Sequence, residues 1–187
     1  MPDSNESILI IVVALIAAVV AVGLYHFYLQ WRSNHLRSHF GPEYDRLAET
    51  RGDARAAESE LTKREKRVAR FHIRPLTPEE SARFTRRWQD IQAEFVDDPK
   101  SSLSNADDLL GDAMAARGYP VQDFEQRSAD LSVDHPVVVQ HYHAAHSIAL
   151  RHRHGETTTE DLRQAMIHYR ALFDELAAPS RHVNAAE

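Results

Sequence analysis

The 187-residue chain contains no cysteine. That excludes disulfide staples, thiolate catalysis, thiolate zinc sites and cysteine lipidation, and leaves the compartment open. Glycine is scarce: six residues, scattered singly at 23, 41, 52, 111, 118 and 155. No glycine-rich phosphate loop of either common spacing can be built from them. A Gly-x-Ser-x-Gly elbow is missing, as are the HExxH string of zinc proteases and the repeated Glu-x-x-His pair of di-iron bundles. Nothing alternates at period two over a strand's length. The one β-branched run, Val137-Val138-Val139, follows a proline and leads into a helical stripe. These absences predict an all-α fold without strands.

One long apolar run is present. Ile8 to Leu24 is seventeen residues without a charged or polar side chain. As a helix it spans ~26 Å, and Tyr25 to Leu29 extends it to about the ~30 Å of a bilayer core. The preceding MPDSNES has two acids and no Lys or Arg. It therefore lacks the basic start of a secretory signal, although Ala21-Val22-Gly23 imitates a cleavage site. Tyr25, Phe27, Tyr28 and Trp31 suit an interfacial belt. Arg32 and Arg37 follow, which predicts a single-pass anchor in the cell membrane with the globular domain in the cytoplasm. Ala14/Ala18 and Ala17/Ala21 are small-xxx-small pairs of the kind that lets two helices approach closely.

The remainder reads as a chain of helices. The expected layout is an acidic tail at 1–7, a transmembrane anchor at 8–31 in contact with membrane lipid, and a juxtamembrane linker with a short helix at 32–52. A charged helix at 53–74, a helical bundle at 75–178 and a disordered tail at 179–187 complete it. Gly41-Pro42 breaks the helix leaving the membrane. In the charged helix, Ala54, Ala57, Leu61, Val68 and Phe71 form a thin seam interrupted by Arg64. It suits either a solvent-facing helix or a short coiled coil. Thr77-Pro78-Glu79-Glu80 predicts a capping box. Phe84, Trp88, Ile91 and Phe95 then form a core stripe. Leu103, Ala106, Leu110, Ala113 and Met114 form the next, stopped by Gly118. Val121, Phe124, Ser128 and Leu131 mark a shorter helix. Pro136 opens one with Val138, Tyr142, Ala145 and Ala149 inward, and Thr158 to Asp161 start the last, whose buried face is Leu162, Met166, Tyr169, Phe173 and Leu176. The fold class is thus all-α: one N-terminal transmembrane helix, then a bundle of five to six helices with mostly antiparallel neighbours.

Net charge is −6, but unevenly spread. Residues 51–90 carry eleven Lys and Arg against seven acids, and 91–187 carry eight against sixteen. Ordinary solvated helix faces explain this, as does a basic part resting on anionic headgroups or docking on the acidic part. An acidic total argues against nucleic acid as a partner. No cofactor is expected.

Twelve histidines are many for this length, and His135, His141, His143, His146, His152 and His154 share one window. If the last two helices form a hairpin about Gly155-Glu156, His146 and His168 lie at one height, with His143 a turn away. These three are the candidate metal ligands, for zinc or another borderline ion. Edge histidines bonded to carbonyls or carboxylates are the commoner explanation. Histidines near Asp134 and Asp161 also suit pH sensing. The carboxylate pairs Asp97-Asp98 and Asp107-Asp108 fall at helix starts or exposed faces, where they cap helices or meet water.

The strings FGPEY (40–44), IRPL (73–76), FVDDP (95–99), GYPVQDFEQRSADLSVDHP and TTEDLRQAMIHYRALFDEL give the chain a resemblance to a bacterial family of single-span membrane or secreted proteins of unassigned activity. The similarity runs from about Leu36 to Leu176. It implies this same layout and brings no catalytic or binding residue. The expected function is a non-enzymatic, membrane-anchored helical module that binds an unidentified protein or itself. The alternative is a histidine-based metal-binding or pH-sensing domain.

Overall fold

A computed structural model describes residues 4–120 and 123–177. All regular structure among them is helical: α1 Ser4–Phe40, α2 Pro42–Arg51, α3 Ala54–Val68, α4 Pro78–Glu94, α5 Pro99–Arg117, α6 Phe124–Asp134, α7 Val139–Arg153 and α8 Thr159–Ala177. The chain divides into two units, Met1–His39 and Phe40–Glu187. The expected tail at 179–187, and Val121 of the expected short helix, lie outside the described residues.

The first unit is α1. From Val12 to Tyr28 every side chain is exposed, and Val13, Leu15, Ile16, Val19 and Leu24 are among them. Val12–Phe40 is the one helix among the described residues that is long and apolar enough to cross a membrane. The helix runs on past Trp31 to Phe40, where a linker was expected. Nothing between Trp31 and Gly41 breaks a helix, and Trp31, His35 and His39 stack ring on ring at i,i+4 spacing, centroids 5.8 and 6.2 Å apart.

In the second unit, short-range chemistry sets most helix ends. Asp53, Asp98 and Asp123 each cap a helix by accepting from a backbone N–H of its first turn. Thr77 and Glu80 close the capping box that starts α4, and Arg74 grips the Glu80 carboxylate with two nitrogens at 2.7 and 2.8 Å. Thr158 and Asp161 bond each other's backbone N–H at the start of α8. Two boundaries differ from expectation. Residues 69–77 are not helical, because the chain leaves α3 to lie against the end of α5, where Arg74 N donates to Arg117 O at 2.8 Å. α7 starts at Val139, after a turn that includes Pro136, rather than at the proline.

The main core lies among α4, α5, α7 and α8. On α7 the buried face is Val139, Tyr142, Ala145 and Ile148, while Val138 and Ala149 of the expected stripe are only half-buried, because the helix starts at Val139 and is turned accordingly. Trp88 stacks on Phe173, centroids 5.0 Å apart and planes 11° from parallel. Tyr142, Leu109, Leu110 and Leu172 are almost wholly buried. Each large apolar side chain removed from water contributes about 1.5–3 kcal/mol. α2 and α3 pack on each other, and α3 packs along α6. α3 is therefore a helix of the domain with a charged face toward solvent, and its seam is buried against α2 and α6 rather than in a coiled coil: Ala57, Leu61, Arg64 and Val68 face inward, and Arg64 belongs to the buried face it was expected to interrupt.

Candidate functional site

The seam of α3 delivers a guanidinium into the domain, and the fold answers with a carboxylate. Glu43, in the first turn of α2, has no exposed surface. Its Oε1 accepts from Arg64 Nη1 at 2.8 Å and from Arg46 Nη2 at 2.6 Å, and its Oε2 accepts from Arg46 Nε at 2.8 Å. Arg64 Nη1 also donates to Ser132 Oγ on α6 at 3.1 Å. From α7, Gln140 Nε2 reaches Oε2 at 3.5 Å and His143 Nε2 stands 3.7 Å from it. A second buried acid, Asp130 on α6, accepts from Arg67 Nε of α3 and from Gln126 Nε2 at 3.0 and 2.8 Å. Four helices thus converge on one polar cluster.

Burial alone would raise the Glu43 pKa, but the hydrogen bonds from Arg46 and Arg64 outweigh it and hold the group below the usual carboxylate range. An acid held ionised cannot act as a general acid at neutral pH, and one gripped by two arginines is a poor base. Its chemistry is that of a brace between helices.

The histidines are placed differently from the expected trio. Pairs from α7 and the turn before it to α8 run in opposite senses, His135 just ahead of α7 to Glu175, His141 to His168 and Arg151 to Asp161, so α7 and α8 do form an antiparallel hairpin. His168, however, meets His141, Nδ1 to Nδ1 at 2.9 Å. His143 turns to the Glu43 cluster, and His146 stacks on Phe124 with centroids 3.5 Å apart. Residues two apart on a helix point to nearly opposite sides, so one α7 neighbour can face α8 while the other faces α2. The three candidates are not brought together, and no group of three His, Asp or Glu is positioned to hold a metal ion among the described residues.

A cavity of about 380 Å³ opens between α5, α7 and α8, lined by Lys100, Ser104, Asp107, His146, His152 and Tyr169. Its one acid is already held, Asp107 Oδ2 accepting from Arg127 Nη2 at 2.8 Å. His152 Nδ1 is engaged with Thr157 Oγ1 at 2.7 Å.

Burial, with the nearby Arg46 charge, lowers the pKa of His143, and burial with His141 lowers that of His168. Both are held neutral in the fold where an unfolded chain takes up protons, near pH 6.5. The unfolded state then binds more protons, so their contribution to stability is full above about pH 6.5 and falls as pH drops. The midpoint of urea unfolding is expected to fall from about pH 7.5 to 5.5, with a shallower fall in His143→Gln. An unchanged slope in that variant would remove His143 as the cause.

Of these features, sequence reasoning missed Glu43, Arg64 and Asp130. One signal was present: Arg64 stands at a seam position, three after Leu61 and four before Val68, where a charge demands a buried partner. Compared with known proteins, the chain matches no protein-family model, no curated protein and no solved structure.

Proposed function

We propose that this chain is a membrane-tethered, non-enzymatic helical module that associates with another protein or with itself. The observation that carries the tether is α1, a helix whose apolar side chains from Val12 to Tyr28 are all exposed. Such a surface is stable only against lipid or another apolar helix. The aromatic residues at 25–31 followed by Arg32 and Arg37 favour a single-pass span with the second unit on the cytoplasmic side. The pairs Ala14/Ala18 and Ala17/Ala21 offer a close-approach face for self-association. That the buried acids Glu43 and Asp130 serve as hydrogen-bonded braces between helices supports a binding rather than a catalytic role. The bacterial family resemblance belongs to the same proposal.

Full-length protein is expected to stay with membranes after an alkaline wash, and Ile16→Arg to release a large fraction, since arginine at a span's centre costs about 2.5–3.5 kcal/mol. Recovery of the intact wild-type chain in the aqueous phase without detergent would end the tether. Crosslinking in native membranes tests the module: a clean monomer with no reproducible adduct counts against it. A second reading, pH sensing, is favoured by His143, which stands beside the ion cluster joining α2, α3, α6 and α7.

A further inference from the structure

Residues 63–87 carry nine Lys and Arg against three Glu, a net of +6 in a chain whose total is −6. Some of these cations are spent inside the domain: Arg64 on Glu43, Arg67 on Asp130, Arg74 on Glu80 and Arg87 on Asp112. Others are not. Lys63 and Lys66 lie one turn apart on the exposed side of α3, opposite the Leu61–Arg64–Val68 seam, and Arg70 stands exposed in the turn that follows. Arg86 is exposed on α4 away from the Phe84, Trp88, Ile91 stripe, and Arg83, also exposed, flanks it with its guanidinium 5.3 Å from the Phe84 ring centroid. None of these five holds an ion pair. A cation left in water on a folded surface, in a chain with an excess of acids available to pair with it, remains free for an external anion.

We infer that the exposed cations of segment 63–87, with Lys63, Lys66 and Arg70 at its centre, bind anionic phospholipid headgroups of the bilayer that α1 spans. This rests on the tether proposed above. Charge complementarity selects the occupant: a cytoplasmic leaflet is anionic, and its attraction for each Lys or Arg near the surface is worth roughly a fivefold change in binding. The tether removes most of the cost of association, because a domain joined to its own span meets headgroups at high effective concentration. The rest of the chain, net negative, is repelled by the same surface. A few cations therefore suffice to choose which side of the domain faces the lipid.

The test uses the full chain in bilayers of phosphatidylcholine alone or mixed with phosphatidylglycerol, each doped with a headgroup-quencher lipid. Because the chain lacks cysteine, Ala69→Cys places a single fluorophore between Lys66 and Arg70, and Ser104→Cys, exposed on α5, serves as reference. Quenching at 69 is expected to rise in the anionic bilayer while quenching at 104 does not. About 1 M salt, where the Debye length is ~3 Å, should abolish the rise. Lys63→Gln/Lys66→Gln/Arg70→Gln should weaken docking roughly a hundredfold, with helical circular dichroism unchanged. If that variant loses its fold, the salt response of the wild-type charges decides. Equal quenching at 69 in both bilayers overturns the inference while the tether stands. Salt-sensitive capture of polyglutamate with no bilayer effect also overturns it, assigning the face to an acidic protein. A chain that enters neither bilayer refutes the tether and the inference together.

Discussion

Arg64→Ala is expected to destabilise the domain by about 3–5 kcal/mol, the usual cost of stripping one partner from a buried ion pair. The side chain of Glu43 has no exposed surface and that of Arg64 is 10% exposed, so water cannot replace what is lost. Arg46 remains on the carboxylate, but its side chain is 36% exposed, which places the result at the lower end of that range. Ser132 Oγ loses its donor as well. Removing both charges is a different experiment. Glu43→Leu/Arg64→Met leaves no buried charge unpaired at the seam and is expected to recover most of the loss, because an apolar pair of similar volume often replaces a buried ion pair at little cost. Urea unfolding of the two singles and the double, read as a double-mutant cycle, measures the coupling. A double variant no more stable than Arg64→Ala would show that the cluster is held by more than charge pairing.

Gly118→Ala is the second large effect. Gly118 ends α5 with φ +100, and a Cβ there would lie 2.4 Å from the His72 carbonyl oxygen and 3.1 Å from its carbon. Gly52 ends α2 with φ +67, and a Cβ there meets nothing within 4 Å. Both substitutions incur the left-handed backbone penalty of about 1–2 kcal/mol. Only Gly118→Ala must also push the 69–77 connector off the end of α5, which adds about 1–3 kcal/mol and strains the Arg74 N to Arg117 O hydrogen bond. The expected order in urea is therefore wild type, Gly52→Ala, then Gly118→Ala well below. Equal losses at the two glycines would mean that the connector yields freely.

These two sites mark where reading the sequence stops. The αL stop at Gly118 was legible, because a glycine after an apolar stripe and before Tyr-Pro carries its meaning locally. The carbonyl of His72 behind it was not, because that contact joins segments 46 residues apart. Arg64 is the same case in side-chain form. Its place on the seam was visible, but its partner arrives from another helix.

The sequence by itself determined the apolar helix, the all-α class, the caps at Thr77 and Asp98, and the stripes of α4, α5 and α8. Each of these is set by groups within a turn or two of one another, where propensity, capping and periodicity act without help. The tertiary structure alone decided that Glu43 and Arg64 meet inside the domain, that His141 and not His146 faces His168, and which cations of the basic segment remain in water. Those outcomes depend on how helices rotate and slide against one another. A few degrees of helix rotation exchange one partner for another at nearly equal local cost, so the choice falls to the summed packing of the core.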